Sequence, residues 1–347
     1  VYEGLFGKAA QERAIAEVEA EMARLCELLA EGLGMGLDAG REMVGGAMSG
    51  FLAEFFDLLP GKGAGPGMDV AITLPLLVHG VETGEPGPAR PIAVIHLLWW
   101  AAARRLDDLG NDLSGAPGGQ ALTALAVGGH LPARLVADLP VTGAVRAALH
   151  DELSRAWLDA VDARLRDLAE EPSAATPESV LRRYEGRTGA PYGMAAASAA
   201  RLAGAGPRCA GWRAFGRTLG VLRMLADDQR DLASGRCEHL AAGTATYLLA
   251  HLLDSLPARR REEVLDLFAA ARVPGAGTGQ GSARAELAAR MLDDDVLDSY
   301  AAAVAPLVER AHSLVDVLGG DPGCVRELHG LVDETAGGTP GFRLAVA

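Results

Sequence analysis

Apolar residues recur at three- and four-residue steps through one long stretch after another, which is the period of a helix face and not of a strand. Residues 8–31 show the pattern: Ile15, Val18, Met22, Leu25 and Leu29 take those steps, with Glu and Arg opposite. Alanine, a strong helix former, is abundant, whereas isoleucine and threonine are few. With 49% apolar but only 5% aromatic residues, the core is built mostly of alanine, leucine and valine. The fold class that follows is all-α. Helices are expected at about 40–59, 68–82 and 91–109, then two short ones after Ala116-Pro117-Gly118-Gly119. More are expected at 143–169, 191–205, 208–232, 241–255, 258–272, 283–292, 295–318 and 322–335, with residues 177–186 read as a connection. No fixed-period repeat and no low-complexity boundary divides the chain. One domain over 1–336 with a loose tail at 337–347 is therefore expected.

A chain of 347 residues can bury a large core. Its formal charge of −14 and pI near 5.0 speak against a nucleic-acid surface, which needs a basic stripe. Cys26, Cys209, Cys237 and Cys324 are scattered with no CxxC pair, as free thiols of a reducing compartment would be. The longest apolar run, Pro91–Ala103, stops at Arg104-Arg105, short of the roughly 20 residues of a membrane span. Residues 1–30 read as a charged amphipathic helix and not a signal peptide, so a cytoplasmic location is expected.

Two acidic clusters carry the chemistry. In Asp227-Asp228-Gln229-Arg230-Asp231, which closes an apolar helix, Asp227 and Asp231 are one turn apart, and Asp228 sits about 100° around the axis. Asp107-Asp108-Leu109-Gly110-Asn111-Asp112 closes another, with Asp108 and Asp112 at i, i+4. The C-terminal end of a helix is negative already, so acids placed there call for a cation. A hard divalent ion such as Mg²⁺, which takes oxygen ligands and bridges to phosphates, supplies one. Arg223 and Arg230, pairing with the same face, supply another. Asp293-Asp294-Asp295, by contrast, precedes a helix and reads as capping charge. Neither Gly61–Gly67 nor Gly275–Gly279 follows a strand or ends in Gly-Lys-Ser/Thr, so neither is a phosphate-cradling loop.

In their order along the chain these pieces resemble the trans-type polyprenyl diphosphate synthases of the class I isoprenoid synthase superfamily. The matching residues are Gly61-Lys62, the first acidic cluster, Arg187-Thr188 where the family has Lys-Thr, and Gly216-xxx-Gly220 leading into Asp227–Asp231. The resemblance implies a helical bundle around a central cavity and a prenyl diphosphate substrate. Mg²⁺, three ions in the family, would lie between Asp107, Asp108, Asn111 and Asp112 on one side and Asp227, Asp228 and Asp231 on the other. Of these, Asp107, Asp108, Asp227 and Asp231 would be catalytic. Lys62, Arg187, Thr188 and Arg230 would bind the diphosphate. Trp99, Trp100, Ala102 and Ala103 would line the cavity, the alanines leaving room for a C15–C20 or longer chain, and the family also implies a homodimer.

The departures are informative. In the family a basic patch holds isopentenyl diphosphate, and here its positions are Gly65, Leu113-Ser114-Gly115 and Trp100. Charge-assisted hydrogen bonds are worth about 1.5–3 kcal/mol each. Loss of three weakens binding by on the order of a thousandfold or more. The expectation is therefore an enzyme that ionises a ready-made prenyl diphosphate and cyclises or quenches the cation. The alternatives are a chain-elongating synthase that condenses it with isopentenyl diphosphate, and a non-catalytic partner subunit of such a synthase.

Overall fold

The computed structural model describes residues 68–111, 118–272 and 282–337, together with short helical pieces within 13–25 and 47–52. Among the described residues there is no strand, as the periodicity requires. The helices are α1 (Met68–Thr83), α2 (Arg90–Asn111), α3 (Gly118–Leu125), α4 (Leu131–Asp138), α5 (Gly143–Ala169), α6 (Pro177–Tyr184) and α7 (Ala190–Leu202). They continue with α8 (Cys209–Ala233), α9 (Glu238–Ala242), α10 (Tyr247–Ser255), α11 (Ala258–Ala271), α12 (Ala283–Met291), α13 (Asp294–Leu318) and α14 (Pro322–Gly337). No described helix is long and apolar enough to cross a membrane. The chain divides into two compact units. The first draws on Val1–Ala156, Pro191–Gly216 and Val315–Leu328, the second on Trp157–Ala190, Arg217–Leu314 and His329–Ala347.

In the first unit α1 and α2 form a helical pair whose buried face includes Ile72, Leu74, Leu77, Ile92, Ile95 and Leu98. Pro75 stands inside α1. A proline has no amide hydrogen, so the carbonyl four residues back loses its helical donor. That carbonyl belongs to Ala71, and it accepts instead from His96 Nδ1 at 2.9 Å, donated from α2. Burial holds the His96 ring neutral, with its pKa pushed down to about 4. At the far end of α1, the buried Glu82 accepts from Arg208 Nη1 at 2.8 Å and from the Trp212 indole. Arg208 also donates to the Leu318 and Gly319 carbonyls, tying the start of α8 to the loop after α13.

Two local readings change. Residues 177–186 hold a helix of their own, α6, started by a capping box in which Thr176 and Ser179 exchange side-chain and backbone bonds, with Pro177 at the first position. The single helix expected over 241–255 is two. Gly243 ends α9 at φ 73°, a left-handed conformation that glycine takes without strain, and Thr246 caps α10 by accepting from Leu249 N at 3.3 Å. Asp293 does cap α13, its Oδ1 accepting from Asp295 N at 3.2 Å.

Candidate active site

The site is built on the second unit's share of α8, which begins at Arg217. Leu219, Val221, Leu222, Leu225 and Ala226 are buried along it and hold the helix in the core. Gly220 is where another backbone comes close: a Cβ there would lie 2.5 Å from the Thr188 carbonyl oxygen and 2.9 Å from Gly189 Cα. What approaches is a π-helical turn, Glu185–Gly189, between α6 and α7. Such widened turns interrupt the regular helical ladder and recur at functional sites. Here it carries Arg187 and Thr188 against the acidic helix. Thr188 Oγ1 lies 3.5 Å from Met224 Sδ, and the Arg187 charge is felt at Asp228. A Gly220→Ala substitution should cost about 1–3 kcal/mol, since neither partner is a flexible side chain that can yield. A thermal melt unchanged from wild type would contradict the close approach.

The three carboxylates of the cluster have different surroundings. Asp227 Oδ1 accepts from Arg223 Nη2 at 2.6 Å and from Arg230 Nη1 at 2.7 Å. Asp228 is buried and accepts from the Tyr184 hydroxyl, while His239 Nε2 stands 3.3 Å from its Oδ1. Burial pushes its carboxyl up to about 6, against the pull of His239, the Tyr184 hydrogen bond and Arg187, with the neighbouring Asp227 pushing it further up. Asp231 turns to the backbone: its two oxygens accept from the amides of Glu238 and His239 at 3.1 and 3.2 Å, at the start of α9. Asp228 and Asp231, with His239, Leu240 and Thr246, line a hollow of about 10 Å³, the room of one water.

Tyr184 holds Asp228 from outside the hollow. Its hydroxyl donates to Asp228 and accepts from Tyr247 N at 3.1 Å. Burial first, and then the Asp228 charge, raise its pKa well above that of a free phenol, so it stays a donor. Tyr247 and Tyr300 pack edge to face at 5.7 Å, and Tyr300 is bonded to Gln229. The pattern of acids in the sequence points to none of Tyr184, His239, Tyr247 and Tyr300. They reach Asp228 only through the packing of α6, α9, α10 and α13.

Of the sequence-derived candidates, the structure therefore gathers Arg187, Thr188, Asp227, Asp228, Arg230 and Asp231 in one unit. Lys62 and Asp112 lie outside the described residues, and so do the side chains of Asp107, Asp108 and Asn111, which occupy the last turn of α2. Trp99, Trp100, Ala102 and Ala103 belong to α2 in the first unit. Trp99 and Ala102 are buried, Ala103 is half-buried, and Trp100 packs edge-on to Tyr192 at 6.5 Å. Among the described residues no group of three or more acidic, histidine or cysteine side chains converges on one point as a ready-made metal cage.

No protein-family model and no curated protein matches the sequence. Solved structures do. Geranylgeranyl pyrophosphate synthetase from Pyrococcus horikoshii superposes with a TM-score of 0.71 at 16% identity, over 94% of this chain and 98% of that one. A polyprenyl synthetase from Streptomyces coelicolor A3(2) gives 0.75 at 17%, over 93% and 99%. The chain has the polyprenyl diphosphate synthase fold. A decaprenyl diphosphate synthase from Rhodobacter capsulatus superposes with a TM-score of 0.68 at 18% identity, over 95% of this chain and 99% of that one. The polyprenyl synthase fold is thus present over nearly the whole chain, at identities that carry architecture alone.

Proposed function

We propose that the chain is a Mg²⁺-dependent class I isoprenoid synthase that takes an allylic prenyl diphosphate and elongates it by condensation with isopentenyl diphosphate. The observation that carries this is the delivery of Arg187 and Thr188, by a π-turn packed on Gly220, to the helix that bears Asp227 and Asp228. Support for elongation comes from the similar structures, which are those of geranylgeranyl pyrophosphate, polyprenyl and decaprenyl diphosphate synthases.

The donor set suits magnesium in kind, being carboxylate oxygen, and Asp228 Oδ1 is buried without a hydrogen bond. Asp227 and Asp228 would hold the ion. Bound there, it would supply a Lewis acid to neutralise the diphosphate leaving group. Arg187 adds a charge-assisted hydrogen bond to the leaving oxygens, with a geometry different from that of a lysine. Tyr184 fixes the Asp228 carboxylate by its hydrogen bond, with His239 Nε2 3.3 Å from the other oxygen, so that little reorganisation is left for the moment of reaction.

Ionisation without a second substrate remains the competing reading, favoured by Trp100. It stands where the resemblance has a histidine of the isopentenyl site, and its ring packs on Tyr192. An indole face can stabilise a passing cation. Farnesyl or geranylgeranyl diphosphate, supplied with and without isopentenyl diphosphate, separates the two. Longer diphosphates only when both are present support elongation. Hydrocarbon or alcohol from the allylic substrate alone overturns it.

A homodimer accompanies this reading. On α5, Leu158, Val161, Leu165 and Leu168 are exposed at three- and four-residue steps, with Leu158 71% and Leu168 64% accessible. An apolar stripe of that spacing suits a self-complementary helix contact between two copies. Leu165→Glu should convert the dimer to monomer in light scattering. A wild-type chain that is already monomeric at micromolar concentration would refute the contact.

A further inference from the structure

Arg223, Asp227 and Arg230 follow one another on α8 at steps of four and three, and so share a face. Both guanidinium groups bind the same oxygen, Asp227 Oδ1, at 2.6 and 2.7 Å. Two cations on one anion leave a surplus positive charge. The Arg223 side chain is 8% exposed, and its Nε is buried without a hydrogen-bond partner. A buried guanidinium with an unused donor, in a trio that by itself carries one net positive charge, is an arrangement that an added anion would stabilise. Asp227, 30% exposed, is the member of the trio that can be displaced by swinging outward. Asp231 is held by two backbone amides and Asp228 by Tyr184.

We infer that Arg223 and Arg230 form a diphosphate site that works without metal, that Asp227 is its resident anion, and that the incoming diphosphate frees the Asp227 carboxylate for a cation. The inference rests on the diphosphate chemistry proposed above and adds an order to it. While both arginines sit on Asp227 they repel Mg²⁺. Once their donors turn to diphosphate oxygens, the carboxylate is released beside the same anion. Anion and metal then favour each other's binding by the same factor, as linkage requires. It also assigns Arg223 a role that spacing alone gives only as a counter-charge.

Calorimetric titration of the full chain with inorganic pyrophosphate in EDTA tests the site. Wild type should bind measurably. Asp227→Asn should bind at least fivefold more tightly, because the competing anion is gone, whereas a purely metal-mediated role predicts no change in EDTA. Arg223→Met should weaken binding at least tenfold. Because Arg223 is buried, Arg230→Met, at a more exposed position, is measured beside it, and the folding of each variant is checked by circular dichroism. Mn²⁺ alone should bind wild type at least tenfold more weakly than Mn²⁺ with pyrophosphate present. Pyrophosphate binding in EDTA that is absent, or unaltered by Asp227→Asn and by both arginine variants, overturns the proposal even if prenyl turnover is found. Binding as described with no prenyl turnover would uphold the anion site and defeat the synthase reading instead.

Discussion

Lowering the pH from 6.5 to 4 should remove about 3 kcal/mol of stability that the protein owes to one buried ring, His96. Burial depresses its folded-state pKa from 6.5 to about 4. The neutral ring's contribution is therefore complete above pH 6.5 and is lost as the unfolded chain gains a proton that the folded one refuses. The loss runs at about 1.4 kcal/mol per pH unit and levels off below pH 4. Asp228 acts in the opposite sense. Its carboxyl is raised from 3.8 to about 6, so the folded chain takes a proton there before the unfolded one does. The His96 effect is accordingly read as the difference between wild type and His96→Leu in urea unfolding at pH 8 and pH 5. At pH 8 the variant should be less stable by about 1–3 kcal/mol, because the Ala71 carbonyl loses its donor inside the core. Restoring the amide with Pro75→Ala should recover much of that loss in the double variant. Equal pH slopes in wild type and His96→Leu, or no recovery in the double variant, would show that the ring does not serve this carbonyl.

That pairing also shows where sequence reading stops. The helical period placed α1, α2, α5, α8 and α13 to within two residues, because an apolar stripe on a long helix is a property of neighbours in sequence. Pro75 is compatible with α1 only because a histidine 21 residues later supplies the missing donor, and no local pattern announces it. The reading of 177–186 as a connection missed α6, because that helix is short and its signal is the capping chemistry of Thr176-Pro177-Glu178-Ser179 and not an apolar stripe. The reading of one helix over 241–255 likewise passed over Gly243, whose left-handed conformation ends α9. At the site, Asp227, Asp228 and Asp231 were legible as a spacing, but their division of labour was not. The helix period puts Asp227 and Asp231 on one face, whereas the hollow is shared by Asp228 and Asp231. The difference arises because Asp231 is drawn to the amides that open α9 and Asp227 to its arginines, contacts decided by tertiary packing and side-chain choice.

Asp227→Ala should lower turnover of a prenyl diphosphate by about 10²–10³, the scale of losing one preorganised electrostatic contact at a developing charge. The same exchange at Asp231 should lower turnover per folded molecule less. Asp231 is spent on the backbone: without its carboxylate the first amides of α9 lose their acceptor, at a cost of about 0.5–2 kcal/mol of stability. Asp227, in contrast, is held only by side chains and is the most exposed of the three, so it is the one placed to change partners when substrate arrives. Its removal also strands the buried Arg223 without a counter-charge, so rates must be normalised to the folded fraction. Steady-state kinetics on both variants at saturating Mg²⁺, with folded fractions from thermal melts, decides between them. If Asp231→Ala is the more damaging of the two after that correction, the metal-binding oxygens lie on the capped side of the cluster. The exchange of partners at Asp227 would then have no part in the reaction.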